Sequence, residues 1–351
     1  MNELERLVAG RRLPPLKERS EMLEMLQSGE YGFLPPPPEE LSFSVKKDMI
    51  ENFCGGSALC NRVRAGGRIY GREFSFPFYE VRPNDGKPHP VIVNINFRPD
   101  IPDRYYPAEE LSDMGYALLT VCYKEVTSDD TDYTNGLSGV IYPDGKRPPD
   151  GPGKIAMWAW AAQRVLDYAY TRPDLFLTDT AAVCGHSRLG KTALFTAATD
   201  SRFAFVYSND SGCSGAAITR GKVGESIADI VRNFPHWFCE NYGQYSNRDY
   251  EVPFDQHFLL ASIAPRRVLI GSASEDVWAD PLSEQLCCRA ASPAFEKGFV
   301  CEGIAELGKG QRKVDFLEGD IGYHLRRGSH SFSRQDWLSF IEFIEKHTGR
   351  T

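Results

Sequence analysis

Residues Ala181 to Thr192, AAVCGHSRLGKT, read as a short apolar strand, a glycine-tight corner and the first turn of a helix, with Ser187 at the corner. A serine on such a turn stands clear of its sheet. Its hydroxyl can then meet a histidine on one side and a carbonyl carbon on the other. The unpaired N–H groups of the helix that follows favour a developing oxyanion. Gly185 supplies the small neighbour two places before the serine. Two places after it stands Leu189, and the glycine comes one later, at Gly190.

The same letters fit a second chemistry. Gly185 to Thr192 match the phosphate-loop pattern G-x-x-x-x-G-K-[ST]. There, backbone amides and Lys191 would cradle phosphates and Thr192 would hold a magnesium ion. Chain order argues against it. A phosphate loop most often follows the first strand of its domain, whereas several strands precede this corner. A hydrolase serine falls mid-chain, with its acid and then its histidine later.

The elements that must position this corner are those of a large α/β protein. The chain has 351 residues and a net charge of −8, enough length for a sizeable core. It carries no basic run suited to nucleic acid and no apolar stretch near the length of a membrane helix. The first residues, MNELERLVAGRRLPP, lack the apolar segment of a secretory signal, and a cytoplasmic location is expected unless a signal has been trimmed. Nine cysteines without metal-type spacing point to reduced thiols.

Along the chain, 16–27 reads as an amphipathic helix, and the prolines 35–38 as a stiff extended connector. Residues 41–81 alternate as two or three antiparallel edge strands. Buried strands are expected at 91–95, 116–122, 178–184, 203–207, 267–272 and, as the last, 314–317. Helices are expected at 105–114, 155–170, 191–198, 254–264, 283–298 and 335–347. The polar stretch 123–153 reads as a long loop, a candidate wall over the active site. This alternation predicts a mostly parallel sheet with helices on both faces and antiparallel N-terminal edge strands. Residues 1–40 would pack on a single catalytic domain, 41–351.

A histidine for Ser187 is expected in the loop before the last helix. His330, flanked by Gly328 and Ser329, fits. His324, within Tyr323-His324-Leu325, looks more like a packed or supporting histidine.

With these residues in view, GHSRLGK resembles the G-C-S-R-x-G-K signature of the glucuronoyl esterases, with His186 in place of the usual cysteine. The resemblance continues through Tyr207 to Gly212, Trp237-Phe238, Pro253 to His257, Ile263 to Arg266 and Gly328-Ser329-His330. It implies an α/β-hydrolase without metal or cofactor, acting on esters of glucuronic acid carried on xylan. It also implies Ser187 as nucleophile, His330 as general base and Arg188 at the oxyanion. The family's acid position falls on Asp210, where fungal members carry Glu. Asp276, in Ser-Glu-Asp-Val-Trp, occupies the place where most α/β-hydrolases keep their acid. Asp210 is favoured, with Asp276 as alternative or partner. Lys191 would hold sugar hydroxyls and Trp278 would pack on the sugar face. Glu225 falls near a family Gln and Asn233 near a family Glu. The partner expected is a carbohydrate ester, with neither nucleic acid nor membrane. Acetyl esters, a sugar-binding protein without turnover and a nucleotide-binding protein are the competing readings.

Overall fold

Valine- and isoleucine-rich runs form the centre of a ten-stranded sheet because both of their faces are covered. The computed structural model describes residues 2–103 and 106–350. The strands are β1 (Glu40–Lys46), β2 (Ala58–Ile69), β3 (Arg72–Pro83), β4 (His89–Asn96), β5 (Ala117–Cys122), β6 (Phe176–His186), β7 (Phe205–Asn209), β8 (Arg267–Ala273), β9 (Lys313–Phe316) and β10 (Ile321–Arg326). Their order across the sheet is β1-β2-β3-β5-β4-β6-β7-β8-β10-β9. The first three pair antiparallel, β3 pairs antiparallel with β5, and β5, β4, β6, β7, β8 and β10 run parallel. β9 closes the far edge antiparallel to β10.

Alternate residues of one strand point to opposite faces, and the two hydrophobic clusters divide accordingly. Val91, Val93 and Ile95 of β4 join one cluster with helix Lys154–Tyr170 and helix Arg188–Thr199. Ile92 of the same strand joins the other, under Trp337 and Phe340 of helix Arg334–Thr348. The N-terminal segment lies on the first cluster through Leu4, Met22, Leu26 and Tyr31, and the indole N–H of Trp160 donates to the Pro36 carbonyl at 2.9 Å.

Several expectations need correction. A helix at Glu3–Gly10, closed by a capping box from Asn2 and Glu5, precedes the expected N-terminal one. The latter runs Arg19–Leu26 and continues as a wider turn to Tyr31. The expected helix at 105–114 is Ala108–Asp113, with Tyr105 outside the described residues. Residues 123–153 contain two short helices, Tyr123–Val126 and Gly136–Ile141, and a helix at Ile227–Asn233 was not expected. Most important for the site, 314–317 is not the last strand. Ile321–Arg326 follows it, fully buried and parallel to β8. Its His324 and Arg326 disguise it as loop in the sequence. Burial is tolerated because both are paired with carboxylates.

Candidate active site

β6 ends at His186 and the next helix starts at Arg188, so the direction of the chain turns within Ser187. Ser187 has φ 59° and ψ −126°, a strained conformation for a residue with a side chain, which persists only where the surroundings impose it. The Ser187 N–H donates to the Asn209 carbonyl of β7 at 2.8 Å, and its own carbonyl accepts from Gly190 and Lys191. A Cβ at Gly185 would lie 2.2 Å from the Leu189 carbonyl oxygen, and one at Gly190 would lie 2.9 Å from Ser208 Oγ. Gly190 thus lets the new helix lie close against β7, which explains a glycine three places after the serine instead of two.

All eight residues singled out for the site, Ser187, His330, Asp210, Asp276, Arg188, Lys191, Glu225 and Trp278, line one cavity of about 350 Å³. Phe234, Trp237, Ser211, Gly212 and Ala279 complete its wall. Asn233 is exposed and is not on that wall. A larger cavity of about 580 Å³ is lined in part by Ser274, Val277, Asp280 and Pro281, but no histidine lines it, and the serine and histidine singled out from the sequence share the smaller one.

The imidazole is partnered by Asp276, not by Asp210, the carboxylate favoured from the sequence. His330 Nδ1 lies 2.6 Å from Asp276 Oδ2. Burial opposes ionisation of Asp276, yet its hydrogen bond and charge interaction with His330 hold the carboxyl below its ordinary range. Asp210 instead accepts from the Ala273 N–H at 2.7 Å and pairs with Arg326 at 3.3 Å. Burial, followed by the neighbouring charges of Glu284 and Asp336, pushes its pKa up, and the Arg326 guanidinium opposes them by favouring the charged form. Asp210 directly follows β7 and is 1% exposed, whereas Asp276 stands three residues past the end of β8, in the loop that meets His330, whose side chain is 45% exposed.

His186 lies under this pair, its ring 4.5 Å from that of His330 and its Nδ1 2.6 Å from Asn209 Oδ1. Burial, and next the proximity of His330, push its pKa down to about 3, so it is a neutral packing ring. His324 is a buried supporting histidine. Burial would lower its pKa, but the hydrogen bonds of Asp315 and Asp336 outweigh that and raise it.

Arg188 forms an ion pair with Asp129 and lies over the Trp237 ring at 4.5 Å. Its Nε is buried without a hydrogen-bond partner. Asp129 also accepts from the Trp237 indole at 2.7 Å and from Tyr123 Oη at 2.9 Å, and pairs with His236 at 3.1 Å. This carboxylate aims the arginine and was not foreseen. It sits beside other aspartates in a polar loop, and nothing in the letters separates it from them. The loop was expected to wall the site, but none of its residues lines the cavity; it reaches the site through Asp129, which pairs with Arg188.

Lys191 is buried, donates to the Ser211 carbonyl and stands 4.0 Å from Glu225 Oε2. Burial lowers its pKa, with Glu225 opposing. Thr192 Oγ1 is fully occupied within its helix, donating to the Arg188 carbonyl at 2.9 Å. With the hydroxyl buried and the lysine directed at Ser211, the phosphate-loop reading does not hold.

One oxygen each of Asp210 and Asp276 and one ring nitrogen of His330 lie within 4.8 Å of one another. As a cation site this set is poor, because Arg326 already places a positive charge against Asp210 and His330 Nδ1 faces Asp276.

A parallel sheet with a serine raised on a sharp strand-to-helix corner at its C-terminal edge defines an α/β-hydrolase. A family model described as glucuronyl esterase, fungi, matches residues 70–297. Carbohydrate esterase MZ0003, from an unknown prokaryotic organism, is 32% identical over 94% of this chain and 84% of its own length. A 4-O-methyl-glucuronoyl methylesterase from Schizophyllum commune is 27% identical over 83% of this chain and 71% of its own. The solved structure of a glucuronoyl esterase from Solibacter usitatus superposes with a TM-score of 0.82 at 30% identity, covering 94% and 92% of the two chains. The chain belongs to the glucuronoyl esterase family of carboxylic-ester hydrolases.

Proposed function

We propose that this protein hydrolyses esters of glucuronic acid through a covalent acyl-enzyme on Ser187, with His330 as general base and Asp276 as the acid that orients it. One observation carries the reading. The strained Ser187 corner and the 2.6 Å Asp276–His330 pair open into the same cavity.

In the first half-reaction His330 Nε2 takes the Ser187 proton as Oγ attacks the uronate carbonyl. Asp276 stays ionised, accepts a hydrogen bond from His330 Nδ1–H, fixes the tautomer and stabilises the imidazolium that forms. Negative charge develops on the former carbonyl oxygen beside Arg188, which lines the cavity at the first turn of its helix and supplies a donor. A fixed donor of this kind in a site walled by Phe234 and Trp237 stabilises the tetrahedral state by about 3 kcal/mol. His330 returns its proton to the leaving alcohol. Water then attacks the acyl-enzyme with the same base, and the uronate carboxylate departs.

The acid half of the substrate is matched by the other walls. Lys191 and Glu225 present a donor and acceptors for sugar hydroxyls, and the half-exposed Trp278 offers a flat apolar face for the pyranose ring. Relatives named as 4-O-methyl-glucuronoyl methylesterases support the same assignment. The test is a substrate panel. Benzyl and methyl glucuronate should be cleaved with much higher kcat/KM than acetylated xylo-oligosaccharides. Faster release of acetate than of the uronate's alcohol would replace this reading with an acetyl esterase.

A further inference from the structure

The mechanism above employs Asp276 and leaves Asp210 without a task, although both carboxylates approach His330. What Asp210 holds is backbone and a cation. Its Oδ1 accepts from Ala273 N–H at 2.7 Å, and its Oδ2 lies 3.4 Å from the Ser331 N–H and 3.3 Å from Arg326 Nη2.

Arg326, at the end of β10, is 4% exposed. Its Nε donates to Asp336 at 2.7 and 3.0 Å. Its Nη1 and Nη2 each reach the Ser329 carbonyl at 3.2 Å, and Nη2 also donates to the Ser331 carbonyl. Ser329 and Ser331 are the two neighbours of His330 in the chain. One buried guanidinium therefore grips the backbone on both sides of the histidine, while Asp336 and Asp210 balance its charge from two directions.

Apart from the ring's own bond to Asp276, the loop is held by the Arg327 N–H to the Arg312 carbonyl at 2.7 Å and the Glu275 N–H to the Gly328 carbonyl at 2.9 Å, both on the N-terminal side of the histidine. Gly328 has φ +122°, and Ser329 and His330 are exposed. The first side chain anchored in the core is Phe332, stacked on Trp337 at 4.8 Å. A short exposed loop of this composition samples many conformations unless its backbone is pinned. A planar fork with five N–H donors can bind two carbonyls and two carboxylates at once, which a lysine ammonium cannot do.

We propose that Arg326 is a positioning residue for His330, with Asp336 and Asp210 as its counter-ions, so that Asp210 serves the backbone of the histidine loop and not the imidazole ring. The proposal rests on His330 acting as general base for Ser187. It gives a buried carboxylate at the expected acid position a purpose outside the proton relay.

The test uses two readouts, kcat and KM on benzyl glucuronate and the rate at which a fluorophosphonate labels Ser187. Arg326→Lys keeps the charge but loses the fork. It should lower kcat and the labelling rate by about 10²-fold, the scale of an ångström-level misplacement of a catalytic group, with KM nearly unchanged. A second comparison guards against simple loss of folding. Arg326→Gln leaves Asp210 and Asp336 short of a cation, and Arg326→Gln with Asp210→Asn removes a pair of opposite charges together. The double variant should regain thermal stability relative to Arg326→Gln but not kcat. Wild-type kcat in Arg326→Lys, or recovery of kcat together with stability in the double variant, would mean the arginine is only a core ion pair, and the proposal fails. An unlabelled wild-type Ser187 would overturn the reading of the site itself. A labelled wild type whose rate is unchanged by Arg326→Lys overturns only the positioning role.

Discussion

Asp276 Oδ2 accepts a hydrogen bond from His330 Nδ1 at 2.6 Å, while Asp210, one strand away, spends its oxygens on Ala273, Ser331 and Arg326. Two acids stand at the ends of adjacent strands, and only one faces the imidazole ring. Asp276→Asn should therefore lower kcat on benzyl glucuronate by about 10⁴-fold, because the amide favours the wrong imidazole tautomer. Asp210→Asn should cost much less. Steady-state kinetics of the two variants side by side decides the assignment, and the reverse order would return the acid role to Asp210.

The pairing of Asp276 with the ring marks where the sequence stops being informative. The corner was legible because few sequences put a serine between Gly185 and Gly190 at the end of an apolar run. His330 was legible because a histidine in a Gly-Ser loop before the last helix has little else to do. The acid was not. Both candidates read as aspartates after a strand, and what separates them is the partner each meets across the fold, His330 for Asp276 and Ala273 with Arg326 for Asp210. That in turn depends on β10, whose buried His324 and Arg326 broke the apolar pattern by which a central strand is recognised. Asp129 was illegible for a different reason. Its partner Arg188 lies 59 residues away in the chain, and local spacing carries no information on such a pair.

Arg188 is held against Asp129 with its Nε left unpartnered. Arg188→Ala should reduce kcat by about 10²- to 10³-fold, the effect of removing one oxyanion donor. Asp129→Asn keeps the shape but weakens the hold on the guanidinium, and should give a smaller fall in kcat with little change in KM. An Arg188→Ala variant with raised KM and unaltered kcat would instead make this arginine a binding group.

Trp278 is 53% exposed at the mouth of the cavity. Removing its ring should weaken binding of the sugar by about 1 kcal/mol, in the range of a single aromatic contact. Trp278→Ala is thus expected to raise KM for methyl glucuronate severalfold while leaving kcat nearly unchanged. Hydrolysis of p-nitrophenyl acetate, which has no sugar ring, serves as control and should not respond.

Glu30 is a buried carboxyl that does not line the site cavity, with both oxygens accepting from Gln256 Nε2 at 3.0 and 3.1 Å. Burial, the largest influence, pushes its pKa from 4.5 up to about 8. The folded state therefore keeps a proton that the unfolded chain releases. Its contribution is fully present below pH 4.5 and is lost as pH rises towards 8. Urea unfolding of Glu30→Gln should show a flatter pH dependence than the wild type over that window, by at most about 1.4 kcal/mol per pH unit. Identical slopes in the two proteins would mean that Glu30 ionises normally.

The central claim is that Ser187 attacks a glucuronate ester. Its most direct test is the rate of acid release from benzyl glucuronate, followed in a pH-stat, for the wild type and for Ser187→Ala. Turnover by the wild type and a loss of about 10⁶-fold in the variant are the predicted results. Undiminished acid release from Ser187→Ala, or an inert wild type, would contradict it.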